Sequence, residues 1–450
     1  MSSRPAIAPA PPAAPARVTA GDRGALSGAW LLSGATLASG VLAYAFHILA
    51  ARTLGTDGYG RIAVLWGAMF LVAIVLFRPV EQTASRTIAD RIARGWETRS
   101  VVVSATIVAA AALALATVIM LALWEPITSG LFDGDDALTL MLIAGVATYG
   151  LSYVVRGLMG GVRWFAGYGL NLVFDGAARL LVALPLVAVA STGLAGAAMV
   201  AAGLAGAAIP LWVGRRRLRV LREDRPGERF RPASTLAFAA PAAVIAGADQ
   251  IVVNSSPVLV VLAGGTAATA GVVFAATMLV RIPVYVFQGV AASILPNLTR
   301  LHATDDAPAF RAAVWRTVTI LIGIAGLLAV GAMAIGPHAL RIVYGPEFEA
   351  GRAALGLLGV GVGLYLAAST VSQALLAQDR GPAAALAWAT AAVLFVGVFF
   401  AMPGSELMRI AVAFALSMGV GAAMVAGFLL RRAPASGPRP AMTHRPLPER

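Results

Sequence analysis

The 450-residue chain has no cysteine, no lysine, only four histidines, and charge on just 12% of its residues. The missing cysteines exclude disulfides, thiolate-bound metals and cysteine nucleophiles together. His47, His302, His338 and His444 stand far apart, without the close spacings of a zinc site. A soluble protein carries roughly 25% charged residues, about twice this share. So little charge cannot cover a water-facing surface of this size. Mean hydropathy is +0.83, and 59% of residues are hydrophobic. They come in runs of about 20 or more, enough for a helix to cross a hydrocarbon core ~30 Å thick. The chain reads as an all-α polytopic membrane protein, and soluble classes fall away.

All 34 cations are arginine. Guanidinium forks match diphosphates, although an Arg/Ala-rich coding composition produces the same bias. No basic stripe marks a soluble domain, so no nucleic-acid partner is expected.

Residues 1–24 and 431–450 are Pro/Ala-rich and read as disordered cytoplasmic tails; the first lacks the apolar core of a signal peptide. Between them the hydropathy pattern predicts twelve spans, near 25–51, 60–80, 100–124, 137–158, 164–189, 191–213, 234–262, 266–295, 313–335, 352–377, 382–402 and 407–430. The longest polar interruption, around residues 215–233, divides a six-helix lobe at 25–214 from another at 234–430. Arginine placement sets the orientation. With the N-terminus inside, 27 arginines face the cytoplasm and five (Arg52, Arg61, Arg341, Arg352, Arg409) face out, while Arg179 and Arg281 lie within spans. Both termini are expected to be cytoplasmic.

The halves read as copies. At a shift of 211 residues Gly60 falls on Gly271 and Pro126 on Pro337; beyond the prolines the shift drifts to about 216, and each half carries a tyrosine there, Tyr149 and Tyr365. An even number of spans per copy makes the repeat parallel, with the substrate path between the halves.

Ionisable groups at membrane depth cost at least ~2.5–3.5 kcal/mol each when unpaired, which makes them the informative positions. Asp175 and Arg179 share a helical face at i, i+4, one turn from Asn171. Asp249 and Arg281 lie mid-span on consecutive helices, so a bridge between them is expected. Span 8 carries the stripe Thr277, Arg281, Tyr285, Gln288; span 1 carries Ser33, Thr36, Gly40, Tyr44 and His47; span 10 carries Tyr365, Ser369 and Ser372. Arg78, Glu81 and Ser85 line up near the inner end of span 2. Ion pairs of this kind also serve as scaffolding, and Arg78 and Glu81 also suit a headgroup boundary. The repeat argues for a site at two of them, because Arg281 and Asp249 correspond to Phe70 and Ala38.

The string ARTLGTDGYGRIAVL after the first span resembles the polysaccharide flippases of the multidrug/oligosaccharidyl-lipid/polysaccharide exporter superfamily. Ala51, Arg52, Leu54, Gly55, Tyr59 and Gly60 match their AR-x-LG-x-x-x-YG pattern. Residues 270–301 are similar to the family's span 8, and 341–361 to the segment before span 10. The resemblance implies two lobes in a V and the alternating-access flipping of a polyprenyl-diphosphate-linked oligosaccharide, an O-antigen-type unit, to the outer leaflet for cell-envelope polysaccharide synthesis. It places the protein in a bacterial cell membrane. Its expected partners are that lipid-linked glycan, membrane lipids, and a glycan polymerase or glycosyltransferases. Arg281, Arg179 and Arg78 would hold the diphosphate, while Tyr44, Tyr285, Tyr365 and Gln288 would face the cargo. Asp249, Asp175 and Glu81 would form coupling ion pairs, with Asp249 exchanging Arg281 for a proton or cation. No cofactor or metal is implied.

The alternative is a cation-coupled small-molecule exporter of the same superfamily or of the major facilitator type. The latter's inner loop signature is weak here, since TIADRIARGWETR keeps Asp90 and Arg91 but neither glycine. An enzyme acting on lipid-linked sugars would need a larger outer loop than the two longest, about 12–18 residues each. The acidic turn Asp133, Asp135, Asp136 in one of them reads as a solvated loop or a weak cation site.

Overall fold

The computed structural model describes residues 20–223, 233–284, 307–378 and 380–431. Within them the regular elements are all helical: α1 (Ala20–Ala93), α2 (Arg99–Ala122), α3 (Trp124–Phe132), α4 (Asp136–Gly161), α5 (Phe165–Ala183), α6 (Thr192–Gly214), α7 (Ala233–Asn254), α8 (Ser256–Leu262), α9 (Ala267–Val280), α10 (Ala307–Tyr344), α11 (Arg352–Ala377), α12 (Gly381–Ala401) and α13 (Glu406–Leu430), with two short 3-10 turns. Side-chain caps start several of them. Asp135 accepts from the Ala137 and Leu138 amides, Ser191 from Leu194 and Thr266 from Thr269, each satisfying donors the helix start leaves over.

Two breaks convert this list into the expected spans. Gly55, at φ 69° and ψ −173°, interrupts α1, a left-handed conformation open to glycine. The chain folds back there. Tyr59 Oη meets His47 Nδ1 at 3.3 Å, and the His47 and Trp66 rings lie 4.5 Å apart, which a straight helix would hold more than 25 Å apart at ~1.5 Å per residue. The second break is the 66° bend between Ala240–Asn254 and Ser256–Leu262. Ten helices among the described residues are long and apolar enough to cross a membrane, eleven with the bent pair. The hairpin in α1 holds two crossings, completing the predicted set. Span 7 is therefore broken rather than continuous over 234–262, because Pro257 has no N–H for the helical bond to Val253.

The repeat is visible in the helix bounds. α4 and α11 are both 26 residues long, displaced by 216 at each end. α2 and α3 together occupy the stretch that α10 covers in the second half as one 38-residue helix. In the first bundle α1 packs on α4 and α5, and α6 on α4 and α5; in the second, α11 packs on α10 and α13, and α12 on α13 and α7. The bundles meet mainly through α1, which touches α7, α8 and α9. Large apolar side chains cover the outside, with Val187, Leu327 and Val393 at 75%, 71% and 75% exposure. Such a surface suits hydrocarbon and not water. The protein is a multi-pass membrane protein.

Within the expected linker 215–233, Arg217–Arg222 form a 3-10 turn with Leu221 buried. The acidic turn is no cation site. Asp133 lies 3.7 Å from Arg61, Asp135 caps α4, and Asp136 accepts from Trp124 Nε1 at 2.9 Å. Among the described residues no group of three His, Asp or Glu is placed to hold a metal ion.

Candidate translocation cleft

Where α1 crosses the second bundle, contact is made by backbone. A methyl group on Gly60 would overlap the Ala267 carbonyl, and one on Gly271 would come within 3.0 Å of the Gly60 nitrogen. The two glycines that the repeat pairs thus sit against each other, as a pseudo-twofold axis requires. Around them Tyr59, Phe274, Tyr344 and Phe348 pack ring against ring, with centroids 5.7–6.3 Å apart. Arg52 donates from Nε to the Val343 carbonyl at 2.9 Å and from Nη2 to Ile342. One bundle's guanidinium so neutralises the carbonyl end of the other bundle's helix α10. The AR-x-LG-x-x-x-YG string is the lock at this end of the molecule.

Deeper in the first bundle a polar cluster surrounds Asp175. Arg179 Nη2 lies 2.6 Å from Asp175 Oδ2 and 2.7 Å from Tyr149 Oη, and Tyr149 donates to Asp175 Oδ1 at 2.7 Å. All three are buried, and the guanidinium stacks 4.8 Å from the Trp66 ring centroid. A neighbouring group links Arg156 Nε to Asn171 Oδ1 at 2.6 Å, and Asn171 to Ser152 and the Gly206 carbonyl. Both clusters are internally satisfied apart from Arg179 Nε. Asp175 and Arg179 thus form the intrahelical pair the spacing predicts, completed by a tyrosine from α4.

The wall toward the second bundle differs. Arg78, near the inner end of span 2, is exposed. Glu81, Tyr153 and Tyr168 of its own bundle and Asp249 of the other all act on it electrostatically, so it lies where the two bundles approach each other. Glu81 accepts from Tyr168 Oη at 2.5 Å, and its other oxygen is buried without a partner.

In the second bundle the expected Asp249–Arg281 bridge is absent from the ion pairs of the described residues. Asp249 accepts from Tyr365 Oη at 2.8 Å and from Gln250 Nε2 at 2.9 Å. Arg281 instead donates to the Val253 carbonyl, the one that Pro257 leaves without a helical donor. Helix breaking thus creates an acceptor that outcompetes a carboxylate for Arg281, although Arg281 still acts electrostatically on Asp249. Beside it a pocket enclosing about 300 Å³, its mouth included, is lined by Ser256, Thr277, Arg281 and apolar side chains. Tyr44 donates to the Met278 carbonyl across the bundle interface at 2.7 Å, a joint between the bundles. Tyr285 and Gln288 lie outside the described residues.

The repeat-related tyrosines make the same bond in both halves, Tyr149 to Asp175 and Tyr365 to Asp249, but the aspartates come from different helices. Only Asp175 has an arginine against it. Arg156 and Tyr168 escaped the reading from sequence alone, and Tyr149 entered it only as the repeat partner of Tyr365. Tyr168 was accessible to it, since it shares a helical face with Asn171, Asp175 and Arg179.

No protein-family model matches the chain. Uncharacterised proteins of Mycobacterium tuberculosis and Mycobacterium bovis are 28% identical over 400 residues, spanning 85% of this chain and 88% of each relative. A second M. tuberculosis protein, also uncharacterised, is 27% identical over 402 residues. Among solved structures, the inward-facing conformation of a multidrug resistance MATE family transporter of the MOP superfamily superposes with a TM-score of 0.70 at 15% identity, over 87% of this chain and 94% of that one. The outward-facing conformation of such a transporter gives 0.61, over 89% and 94%. A Vibrio cholerae MATE transporter in its bent form gives 0.58 at 13% identity, over 90% and 98%. At these identities the likeness establishes the fold: the chain has the two-bundle architecture of MATE transporters.

Proposed function

We propose that the protein is an alternating-access transporter whose cargo is an anionic amphiphile of the polyprenyl-diphosphate-linked oligosaccharide class. The observation that carries the reading is Arg78, an exposed guanidinium near the inner end of span 2 on which Asp249 of the other bundle acts. A diphosphate arriving between the bundles would meet it with forked, charge-assisted bonds. Among the polar residues described above, four arginines (Arg78, Arg156, Arg179, Arg281) stand against three carboxylates (Glu81, Asp175, Asp249), a surplus that favours anions over cationic drugs. Asp249, hydrogen-bonded to the neutral Tyr365 and Gln250 with Arg78 and Arg281 acting on it from farther away, is the carboxylate that would take up a proton or cation during the cycle. The tight Gly60–Gly271 contact closes one end, which fits one half of an alternating cycle.

The second reading is export of small molecules, favoured by the multidrug transporters that share the fold. Depleting the protein and extracting lipids for mass spectrometry separates the two. On the first reading one lipid-linked glycan accumulates, and wild type clears it while Arg78→Ala does not. Asp249→Asn retains protein levels and loses clearance. Unchanged lipid pools with heightened sensitivity to cationic dyes would establish the second reading instead.

A further inference from the structure

At the end of the molecule away from the glycine contact, α6 runs into a short arginine-rich turn. Arg215, Arg216, Arg217, Arg219 and Arg222 are all exposed, whereas Leu218 and Val220 are half-buried and Leu221 is 4% exposed. Leu221 packs with Ala84, Ile88 and Val101, which pins the turn against the ends of α1 and α2. The arginines are therefore held as an outward row on a fixed element.

The surroundings make this row an electrostatic site. Of the acids near the row, Asp90 pairs with Arg94 at 3.0 Å, and Glu97 accepts from Ser100 at 2.6 Å. Glu223 directly follows the row, so among the described residues five arginines stand beside one adjacent carboxylate and the row keeps a cationic excess. Trp212, 68% exposed one turn earlier, carries the Arg215 guanidinium 5.2 Å from its ring centroid, and Arg217 sits 5.6 Å from the Trp164 ring. An exposed tryptophan at the end of an apolar span lies at the level of lipid headgroups, which puts the arginine row at that level too.

We propose that this row is a binding surface for anionic phospholipid headgroups of the adjacent leaflet. Stacking on tryptophan leaves the guanidinium edges free to fork onto phosphate oxygens, and the apolar side of the turn sits against the bundle. Each cation near an anionic membrane surface strengthens attraction about fivefold, within a Debye length. The proposal rests on the membrane placement of the chain and is independent of what it carries.

The test uses the full-length protein in detergent, with native mass spectrometry of retained lipid after exposure to equimolar phosphatidylglycerol and phosphatidylcholine. Wild type should retain phosphatidylglycerol preferentially, and less so at high salt. The variant with Gln at 215, 216, 217, 219 and 222 should lose at least tenfold of that preference. Should this variant fail to fold, Arg216→Gln with Arg219→Gln removes two exposed cations and should still cost several-fold. Undiminished preference in the folded variant would overturn the proposal. So would equal binding of soluble glycerophosphoglycerol at matched ionic strength, which would mark a free-anion site, or capture of an acidic soluble protein in place of lipid.

Discussion

Adding one methyl group at Gly60 should pry the molecule open at its closed end. The ideal Cβ there would overlap the Ala267 carbonyl, and a backbone oxygen inside α9 cannot rotate away as a side chain would. The bundles must separate locally, and overpacking of this kind costs about 1–3 kcal/mol. If the cost falls only on the state with this end closed, Gly60→Ala shifts the closed-to-open ratio by roughly 5- to 150-fold. The chain has no native cysteine, so a cysteine pair reports this directly. Asp57 is exposed near the hairpin, and Glu347 of the other bundle reaches toward Gly55. With Asp57→Cys and Glu347→Cys, a short bis-maleimide should link the bundles efficiently by alkylating both thiols, and adding Gly60→Ala should lower the yield by a comparable factor. Ala267→Gly should not restore it, because the obstructing atom is backbone. An undiminished yield in Gly60→Ala, with unchanged thermal stability, would refute the contact and the closure it implies.

Arg52→Gln should also loosen this end, since two carbonyls of α10 lose a charged donor. Hydrogen bonds to charged groups contribute about 1.5–3 kcal/mol, and the same crosslinking yield should fall. Arg179→Leu leaves the buried Asp175 carboxyl without its countercharge beside Tyr149, so thermal stability should drop by about 3–5 kcal/mol. Arg179→Leu combined with Asp175→Leu should recover much of it. A double variant as unstable as the single one would show that the pair's worth lies outside its mutual attraction.

What the chain alone determined were the features written in local order. Apolar runs long enough to cross a bilayer located the spans, because a helix satisfies its own backbone and needs no partner to be recognised. The repeat spacing was legible for the same reason, down to the 216-residue displacement of α4 and α11. Asp175 and Arg179, four residues apart on one helix, could pair only with the help of their own turn geometry, and they do. Tertiary structure decided the pairings between helices, which depend on rotation and depth that periodicity does not carry. Asp249 and Arg281 look complementary along the chain, yet Pro257 frees a carbonyl that takes Arg281, and Tyr365 from α11 takes Asp249. Tyr44 lies on a polar helical face along the chain, but only the second bundle supplies the Met278 carbonyl 2.7 Å from its hydroxyl. Gly60 and Gly271 are 211 residues apart in the chain. Only the packing of the two copies brings them together, at a distance where any side chain would keep the bundles apart.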